Sequence, residues 1–149
     1  MGSTPLERAR ADVVVSGPDG SELDRVALSG ASVTVGRLPD ANDIALQPDP
    51  ELLVTRSAHC TLERDGDRWF VVDGGSVNGT FLRRGGELQP VTERTALHDG
   101  DVICVLASIS ETDERRFFEL AFQAAGDSQA TRAVRRAGGT PRSLQQRRR

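Results

Sequence analysis

The sequence predicts an all-β fold, either a sandwich or a barrel. Short apolar or alternating runs recur along the chain, turn-forming residues separate them, and no stretch before Gly126 has the long 3.6-residue apolar period of a packed helix. With 149 residues, the chain is long enough to bury one core of ordinary domain size. Many short strands without helices between them favour two packed sheets or one closed sheet.

The predicted strands follow one another at close spacing. They are residues 12–16, 25–28, 32–36, 60–64, 68–73, 80–82, 101–107 and 117–122. Gly, Pro, Asp and Ser residues separate them and supply the positive φ angles or the local side-chain bonds of tight turns. In the run 68–73, Trp69 and Val71 alternate with Phe70 and Val72, so at least one face of this strand belongs to the core.

The two ends of the chain differ from its middle. Residues 1–10 lack a sustained apolar period and are predicted to form a flexible arm, and residues 11–125 form the predicted domain. Residues 126–149 carry seven arginines and one aspartate, a net charge of +6, so the first 125 residues carry −9 of the total of −3. Because its apolar residues are isolated, this basic tail is expected to be disordered. Contact between the tail and nucleic acid is the less favoured interpretation.

Cysteine usage and hydropathy bear on the compartment. Cys60 and Cys104 lie in apolar strand-like runs, and neither a signal peptide nor a long apolar span is apparent. A reduced cytoplasmic protein without a membrane span is therefore expected, although a bridge between the two cysteines stays open. A zinc site is disfavoured because His59, His98 and the two cysteines lack paired ligand spacing.

An ordered series of polar motifs punctuates the predicted strands. The series runs Gly36-Arg37, Asn42-Asp43-Ile44, Val54-Thr55-Arg56 with His59, Trp69 to Asp73, Gly74 to Phe81, and Leu97 to Asp101. In order and spacing it closely resembles the forkhead-associated (FHA) domain over roughly residues 33–105. The resemblance implies an eleven-stranded β-sandwich that binds phosphothreonine peptides.

The resemblance also implies roles for individual residues. Arg37 matches the arginine that reaches the phosphate or the peptide backbone, and Thr55 and Arg56 resemble the family's Ser-Arg pair at the phosphate. Asn78 matches the asparagine that bonds the peptide main chain. The family's structural positions are matched by Gly36, His59 and Gly79. Guanidinium groups and a hydroxyl are suitable donors for a phosphate, which carries about 1.5 to 2 negative charges near neutral pH.

Two positions depart from the family pattern. The family spaces Ser-Arg-x-His, whereas the segment from Thr55 to His59 has one residue more. Either a one-residue bulge keeps Thr55 and Arg56 in their roles, which we favour, or the register is kept from His59 and Ser57 supplies the hydroxyl. Val77 stands where a threonine often donates a further hydroxyl to the phosphate, which leaves open whether binding is weakened. We expect phosphate binding to be retained.

Other chemistries fit the sequence less well. Ser57, His59 and Asp73 contain the atoms of a hydrolase triad, but nothing resembles a nucleophile elbow. Asn78-Gly79-Thr80 is formally a glycosylation sequon, but its Asn-Gly pair is better explained as a turn. The segment from His98 to Asp101 has too few ligands for a calcium loop.

We therefore expect a non-catalytic signalling module that needs no cofactor. It is expected to be a monomer that docks a phosphothreonine-containing protein, such as a Ser/Thr kinase or a kinase substrate, in a bacterial setting. The alternative is a scaffold or self-assembly module that uses the same loops or a sheet face without phosphate.

Overall fold

The computed structural model describes residues 10–124, which form a β-sandwich of eleven strands. The strands are β1 (Ala11–Ser16), β2 (Glu22–Ala27), β3 (Ser32–Gly36), β4 (Ile44–Ala45), β5 (Cys60–Asp65), β6 (Arg68–Asp73), β7 (Thr80–Arg84), β8 (Glu87–Pro90), β9 (Thr95–Ala96), β10 (Val102–Ile109) and β11 (Arg115–Ala124). A single 3₁₀ turn, Pro39–Ala41, lies between β3 and β4.

The strands are divided between two sheets. One sheet has six strands in the order β2-β1-β11-β10-β7-β8, and the other has five in the order β4-β3-β5-β6-β9. Apart from the short parallel pair β3 and β4, the described neighbours run antiparallel. The pairs Val35 with Cys60 and Cys60 with Asp73 therefore bring the end of β3, the start of β5 and the end of β6 to one end of the sandwich.

The core lies between the two sheets, because alternate residues of their strands point inward. In β1 the burial alternates along the whole strand, and in β6 Trp69 and Val71 are buried while Phe70 and Val72 are only partly so. The largest core side chains that are almost completely buried include Leu46, Leu62, Leu82, Leu97, Ile103, Phe118, Leu120 and Phe122.

The structure confirms the predicted all-β sandwich. Each of the eight predicted runs overlaps a strand, and β3 and β6 have the predicted bounds 32–36 and 68–73. Sequence inspection missed β4, β8 and β9. Two of these strands have only two residues, and all four residues of β8 are exposed, so none carries a readable alternation. The eleven strands that the resemblance implied are all present.

The ends of the described chain lie side by side, since Ala11 pairs with Ala124. The predicted basic tail, and the predicted N-terminal arm apart from Arg10, lie outside the described residues. No helix in residues 10–124 is long and apolar enough to cross a membrane.

A buried carboxylate, that of Asp101, lies at one end of the sandwich. This end is opposite the β3–β4, β4–β5 and β6–β7 loops. Asp101 is 3% exposed, and its two oxygens accept hydrogen bonds from Arg84 Nε at 2.9 Å and Arg84 Nη2 at 2.6 Å. The same carboxylate accepts the backbone N–H of His98 at 2.7 Å. Asp101 therefore has a structural role in this turn.

Candidate functional site

Three loops converge where β3 and β6 end and β5 and β7 begin. We call them the site loops: 37–43 between β3 and β4, 46–59 between β4 and β5, and 74–79 between β6 and β7. They hold all the binding residues predicted from the sequence, and the strands beneath fix their ends. In the first two loops, the backbone N–H of Arg37 donates to Thr55 O at 3.1 Å and that of Leu38 donates to Arg56 O at 3.1 Å.

The Arg37 side chain is partly buried beside the carboxylate of Asp49. Arg37 Nε donates to Val54 O at 3.3 Å and lies 3.7 Å from Asp49 Oδ2. Asp49 is itself buried and accepts the backbone N–H groups of Leu53 at 3.1 Å and Val54 at 2.9 Å. Because these contacts involve only Nε, the Nη1 and Nη2 donors of Arg37 have no hydrogen-bond partner within residues 10–124.

Asn42 ties the first loop to the second through both ends of its amide. Its Nδ2 donates to Leu38 O and to Arg56 O, each at 2.8 Å, and its Oδ1 accepts the N–H of Ala58 at 2.8 Å. Ala58 has a left-handed φ of 51°, which costs free energy for a residue with a Cβ. This is the kind of local distortion that a one-residue bulge before β5 requires.

His59 is fully buried, and each nitrogen of its ring contacts a different loop. Nδ1 accepts the N–H of Thr55 at 2.9 Å, so the ring proton sits on Nε2, which donates to Gly79 O at 2.9 Å. Burial lowers the pKa of this imidazole, against the raising effects of the bond to Gly79 and of the carboxylates of Asp73 and Asp49. A neutral His59 therefore holds the second loop to the third.

The third loop is organised by Asp73. Its carboxylate accepts the hydroxyls of Ser76 at 2.6 Å and Thr80 at 2.7 Å, and the N–H groups of Gly75 at 3.0 Å and Ser76 at 3.2 Å. Burial acts to raise the pKa of Asp73, but these hydrogen bonds together bring it below its ordinary value of 3.8.

Asn78 connects the third loop to the second. Its Nδ2 donates to Leu53 O at 2.9 Å, which ties loop 74–79 to loop 46–59. Arg37, Thr55, Arg56 and Asn78 therefore lie on loops that are directly hydrogen-bonded to one another.

The two candidate hydroxyls differ in exposure. Thr55 Oγ1 is buried and has no hydrogen-bond partner within the described part of the chain, whereas Ser57 is exposed. Arg56 is also exposed, and its guanidinium makes no ion pair with any residue between 10 and 124. In this conformation Thr55 does not present its hydroxyl to a ligand, so it must rotate about χ1 to do so.

Close backbone approach explains two glycines. A Cβ on Gly36 would lie 2.5 Å from Asn42 Oδ1, and a Cβ on Gly74 would collide with the carbonyl oxygen of Ala58. Gly79 has a positive φ of 85°, which L side chains rarely adopt. Gly74, which the sequence showed only as part of a turn, is thus as restricted as Gly36 and Gly79.

Sequence reasoning assigned no site role to Asn42 and Asp49. Asn42 was noted only as part of the motif series, and its acceptor role involves Ala58, sixteen residues away. Asp49 follows Pro48 in a polar stretch. Its role in the turn could have been inferred from the sequence, because an Asp side chain commonly accepts backbone N–H groups a few residues later in the chain.

Comparison with known proteins identifies the family. The model of the FHA domain matches residues 33–105, which run from β3 to the middle of β10 and include all three site loops. The chain carries an FHA domain.

Individual relatives agree with this FHA domain in sequence or in fold. An oxoglutarate dehydrogenase inhibitor of Corynebacterium jeikeium is 39% identical over 72 residues, which cover 48% of this chain and 45% of that protein. The chain thus matches less than half of this curated relative. The solution structure of an FHA domain from a hypothetical Arabidopsis thaliana protein has a TM-score of 0.57 and 25% identity, covering 86% of this chain and 98% of that one.

A third relative was solved with a ligand. Mycobacterium tuberculosis EmbR in complex with a low-affinity phosphopeptide has a TM-score of 0.55 and 26% identity, covering 78% of this chain and 25% of that one.

The cysteines and acidic groups of this FHA domain show no additional site. Cys60 and Cys104 are free, and burial raises their thiol pKa values to about 12 and about 11, so both thiols are unreactive at neutral pH. Within residues 10–124, no three His, Cys, Asp or Glu side chains come together as they would around a metal ion.

Proposed function

We propose that this FHA domain docks a phosphothreonine segment of a protein partner at the site loops and catalyses no reaction. The observation that carries the proposal is the free Nη face of Arg37, held at the end of the sandwich beside the segment of Thr55 and Arg56. FHA relatives support it, since EmbR was solved with a phosphopeptide.

The charges at the site suit a phosphate. Phosphothreonine carries about 1.5 to 2 negative charges at neutral pH and three acceptor oxygens. Arg37 and Arg56 offer guanidinium donors from neighbouring loops, and Asn78 projects from the third. Asp49 orients Arg37 across a gap of 3.7 Å without occupying its Nη groups. The site can therefore offer a phosphate both positive charge and hydrogen-bond donors of fixed orientation.

The hydrogen bonds of His59 and Asp73 support a non-catalytic role. A triad would need His59 to accept a proton from Ser57 and to be oriented by Asp73. Instead His59 bonds Thr55 and Gly79, while Asp73 is bonded by Ser76, Thr80 and the N–H of Gly75. No ring nitrogen is left to activate a nucleophile.

A phosphate-independent scaffold is the second candidate. Two observations favour it: the Thr55 hydroxyl is buried, and Val77 places an apolar side chain where the family often has a hydroxyl. On this alternative, the same loops bind an unmodified protein.

The two candidates are separated by the phosphate dependence of binding. We expect fluorescence anisotropy with a degenerate phosphothreonine peptide library to give saturable binding, with weaker binding of phosphoserine peptides and none of unphosphorylated ones. Arg37→Ala should weaken binding by about tenfold to a hundredfold, because the lost bond to a charged group costs about 1.5–3 kcal/mol. Arg68→Ala, an exposed arginine at the opposite end of the sandwich, is the control.

The same assay shows when the proposal fails. Equal affinity for phosphorylated and unphosphorylated peptides would support the scaffold. Unchanged phosphothreonine binding by a folded Arg37→Ala protein would overturn the assignment of Arg37.

A further inference from the structure

The exposed large hydrophobic side chains outside the site loops all lie on one sheet. In the described part of the chain they are Leu23, Leu88 and Ile109, each exposed by 40–44%. They belong to β2, β8 and β10, which are strands of the six-stranded sheet. This sheet therefore presents apolar surface to solvent away from the candidate binding site, and such surface commonly marks an interface.

The strand register places a row of apolar side chains across the outer face of this sheet. Val13 and Val15 are buried in the core, so Val14 between them points outward. Residues paired across neighbouring strands share a face, which defines the whole row. From β1 to β8 it consists of Val14, Ala121, Val102, Arg83 and Leu88. Four of these five side chains are apolar.

The next positions of the same face are apolar on β10 and its two neighbours. Residues 103–107 of β10 are all buried, whereas a strand with one solvated face shows alternating burial. Cys104 points outward in this run and is paired with Phe81. Leu106 also points outward and is paired with Phe117. The two phenylalanine rings lie edge to face, with 5.9 Å between their centroids, and are themselves partly exposed.

The outer face of the five-stranded sheet is more polar. The guanidinium of Arg94 lies over the Phe70 ring, 3.8 Å from its centroid, and forms an ion pair with Glu63 at 3.3 Å. At the centre of this face, Thr34 is paired with Thr61. Hydroxyl groups and a covered ring are suited to contact with water. The apolar character of the six-stranded sheet is therefore not a general property of both outer faces.

The charges on the outer face of the six-stranded sheet cancel. Its charged side chains are three carboxylates and three arginines, namely Asp12, Glu22, Glu119, Arg25, Arg83 and Arg115. Arg83 and Glu119 form an ion pair at 2.8 Å, so neither requires an oppositely charged partner. The first 125 residues as a whole carry −9. A second copy of this acidic chain is therefore repelled least where it approaches this face.

We propose that two copies of the chain associate through the outer faces of their six-stranded sheets. The proposal replaces the monomer expected from the sequence and does not depend on phosphothreonine binding. In the dimer, the apolar row and the rings of Phe81 and Phe117 pack against the same groups of the second copy and are removed from water. The site loops lie at one end of the sandwich and stay accessible, so a dimer has two sets of them.

The size of the face suits a second copy better than a peptide. Six strands spaced about 4.8 Å apart and about 14–34 Å long give a face of roughly 600 Å² before side-chain relief is counted. Specific interfaces bury about 600–1,000 Å² per partner. Interfaces between identical chains are also more apolar than those between different proteins, and an uncharged apolar face is complementary to itself.

Sedimentation velocity of the full chain between about 1 and 200 µM tests the proposal. The chain is first treated with a phosphatase, so that no phosphorylated segment of one copy binds the site loops of another. Ala121→Arg introduces a charge at the centre of the face, and Leu88→Asp introduces one on its exposed edge strand. Thr61→Arg is the matched control, because Thr61 is also partly buried and lies at the centre of the other outer face.

We expect the weight-average mass of the wild-type chain to approach that of two chains at the highest concentration. Ala121→Arg and Leu88→Asp should each raise the dimer dissociation constant by at least about tenfold, because an uncompensated charge enters an apolar contact. Thr61→Arg should leave this constant unchanged. Circular dichroism checks that each variant is folded, and the exposed position of Leu88 makes its substitution compatible with folding.

Three results would contradict the dimer. A wild-type chain that stays monomeric over this concentration range overturns the inference, whatever else the face contacts. Dimers that resist both Ala121→Arg and Leu88→Asp, or that Thr61→Arg weakens to the same extent, overturn it as well. Dimers that only Arg37→Ala abolishes would assign self-association to the site loops instead.

Discussion

The residues that shape this site divide into those that present donors and those that hold the loops. His59 belongs to the second group, because its buried ring bonds both Thr55 and Gly79. The resemblance assigned His59 and Gly79 to structural positions, and the structure shows the loop-bridging bonds of His59 and a positive φ at Gly79. The assignment of Arg37 to the phosphate stays a prediction. Asn42 was not assigned a role, because one sequence does not show which side chain will meet the N–H of Ala58.

Acid should destabilise the fold through His59. Burial lowers the pKa of this imidazole below its ordinary value of 6.5, so the unfolded chain binds a proton more readily than the folded one. The free energy of unfolding should therefore be full above pH 6.5 and decrease as the pH falls below it, toward the lowered pKa. Urea denaturation of wild type and His59→Gln between pH 8 and 5.5 measures this. An equally steep decrease in His59→Gln would show that another group is responsible.

Thr55 and Ser57 are predicted to behave oppositely. Replacing the unpartnered Thr55 hydroxyl by a methyl group, in Thr55→Val, should raise the free energy of unfolding by about 1 kcal/mol. It should also weaken phosphothreonine binding by about 1.5–3 kcal/mol, if rotation about χ1 brings that hydroxyl to the phosphate. Ser57→Ala should change neither quantity. Chemical denaturation and peptide titration measure both, and weakened binding by Ser57→Ala alone would show that the register runs from His59.

The strands and loops differ in how readily the sequence reveals them. The strands β1, β5 and β6 were predicted because burial alternates along them, as an apolar period of two requires. The short strands β4 and β9 are specified by pairing with β3 and β6, which a single sequence does not display. The conformation of loop 74–79 likewise depends on the carboxylate of Asp73, whose four bonds become visible only in three dimensions.

Asp73→Asn should loosen loop 74–79 selectively. The amide has one acceptor oxygen in place of two, so bonds to the Gly75 and Ser76 N–H groups are lost, at a cost of about 1–3 kcal/mol in the free energy of unfolding. Amide hydrogen exchange should show faster exchange in this loop. Asp40→Asn, an exposed carboxylate in loop 37–43, serves as the control.

Lowering the pH tests the same carboxylate without a substitution, because protonation of Asp73 removes its charge. Because the pKa of Asp73 is lowered from 3.8, its contribution to stability is present above pH 3.8 and is lost as the pH falls through the lowered value. If exchange in loop 74–79 is as slow in Asp73→Asn as in wild type, the carboxylate does not organise the loop.

At the scale of the whole molecule, the two ends of the described residues lie at the opposite end of the sandwich from the site loops. Ala11 pairs with Ala124, whereas the site loops lie where β3 and β6 end. The all-β class and the family were predictable because turn signals and motif spacing are local. The 66% exposure of Leu52 was not, because it depends on a turn in which the Leu52 N–H donates to Asp49 O.

The most direct test of the central claim is an ¹H–¹⁵N NMR titration of the full chain with a phosphothreonine peptide library. We predict saturable shifts confined to the three site loops, with the amides of Arg37, Thr55, Arg56 and Asn78 among the largest, and none with unphosphorylated peptides. Shifts located instead in residues 126–149 or on the outer face of the six-stranded sheet, or equal shifts with unphosphorylated peptides, would contradict it.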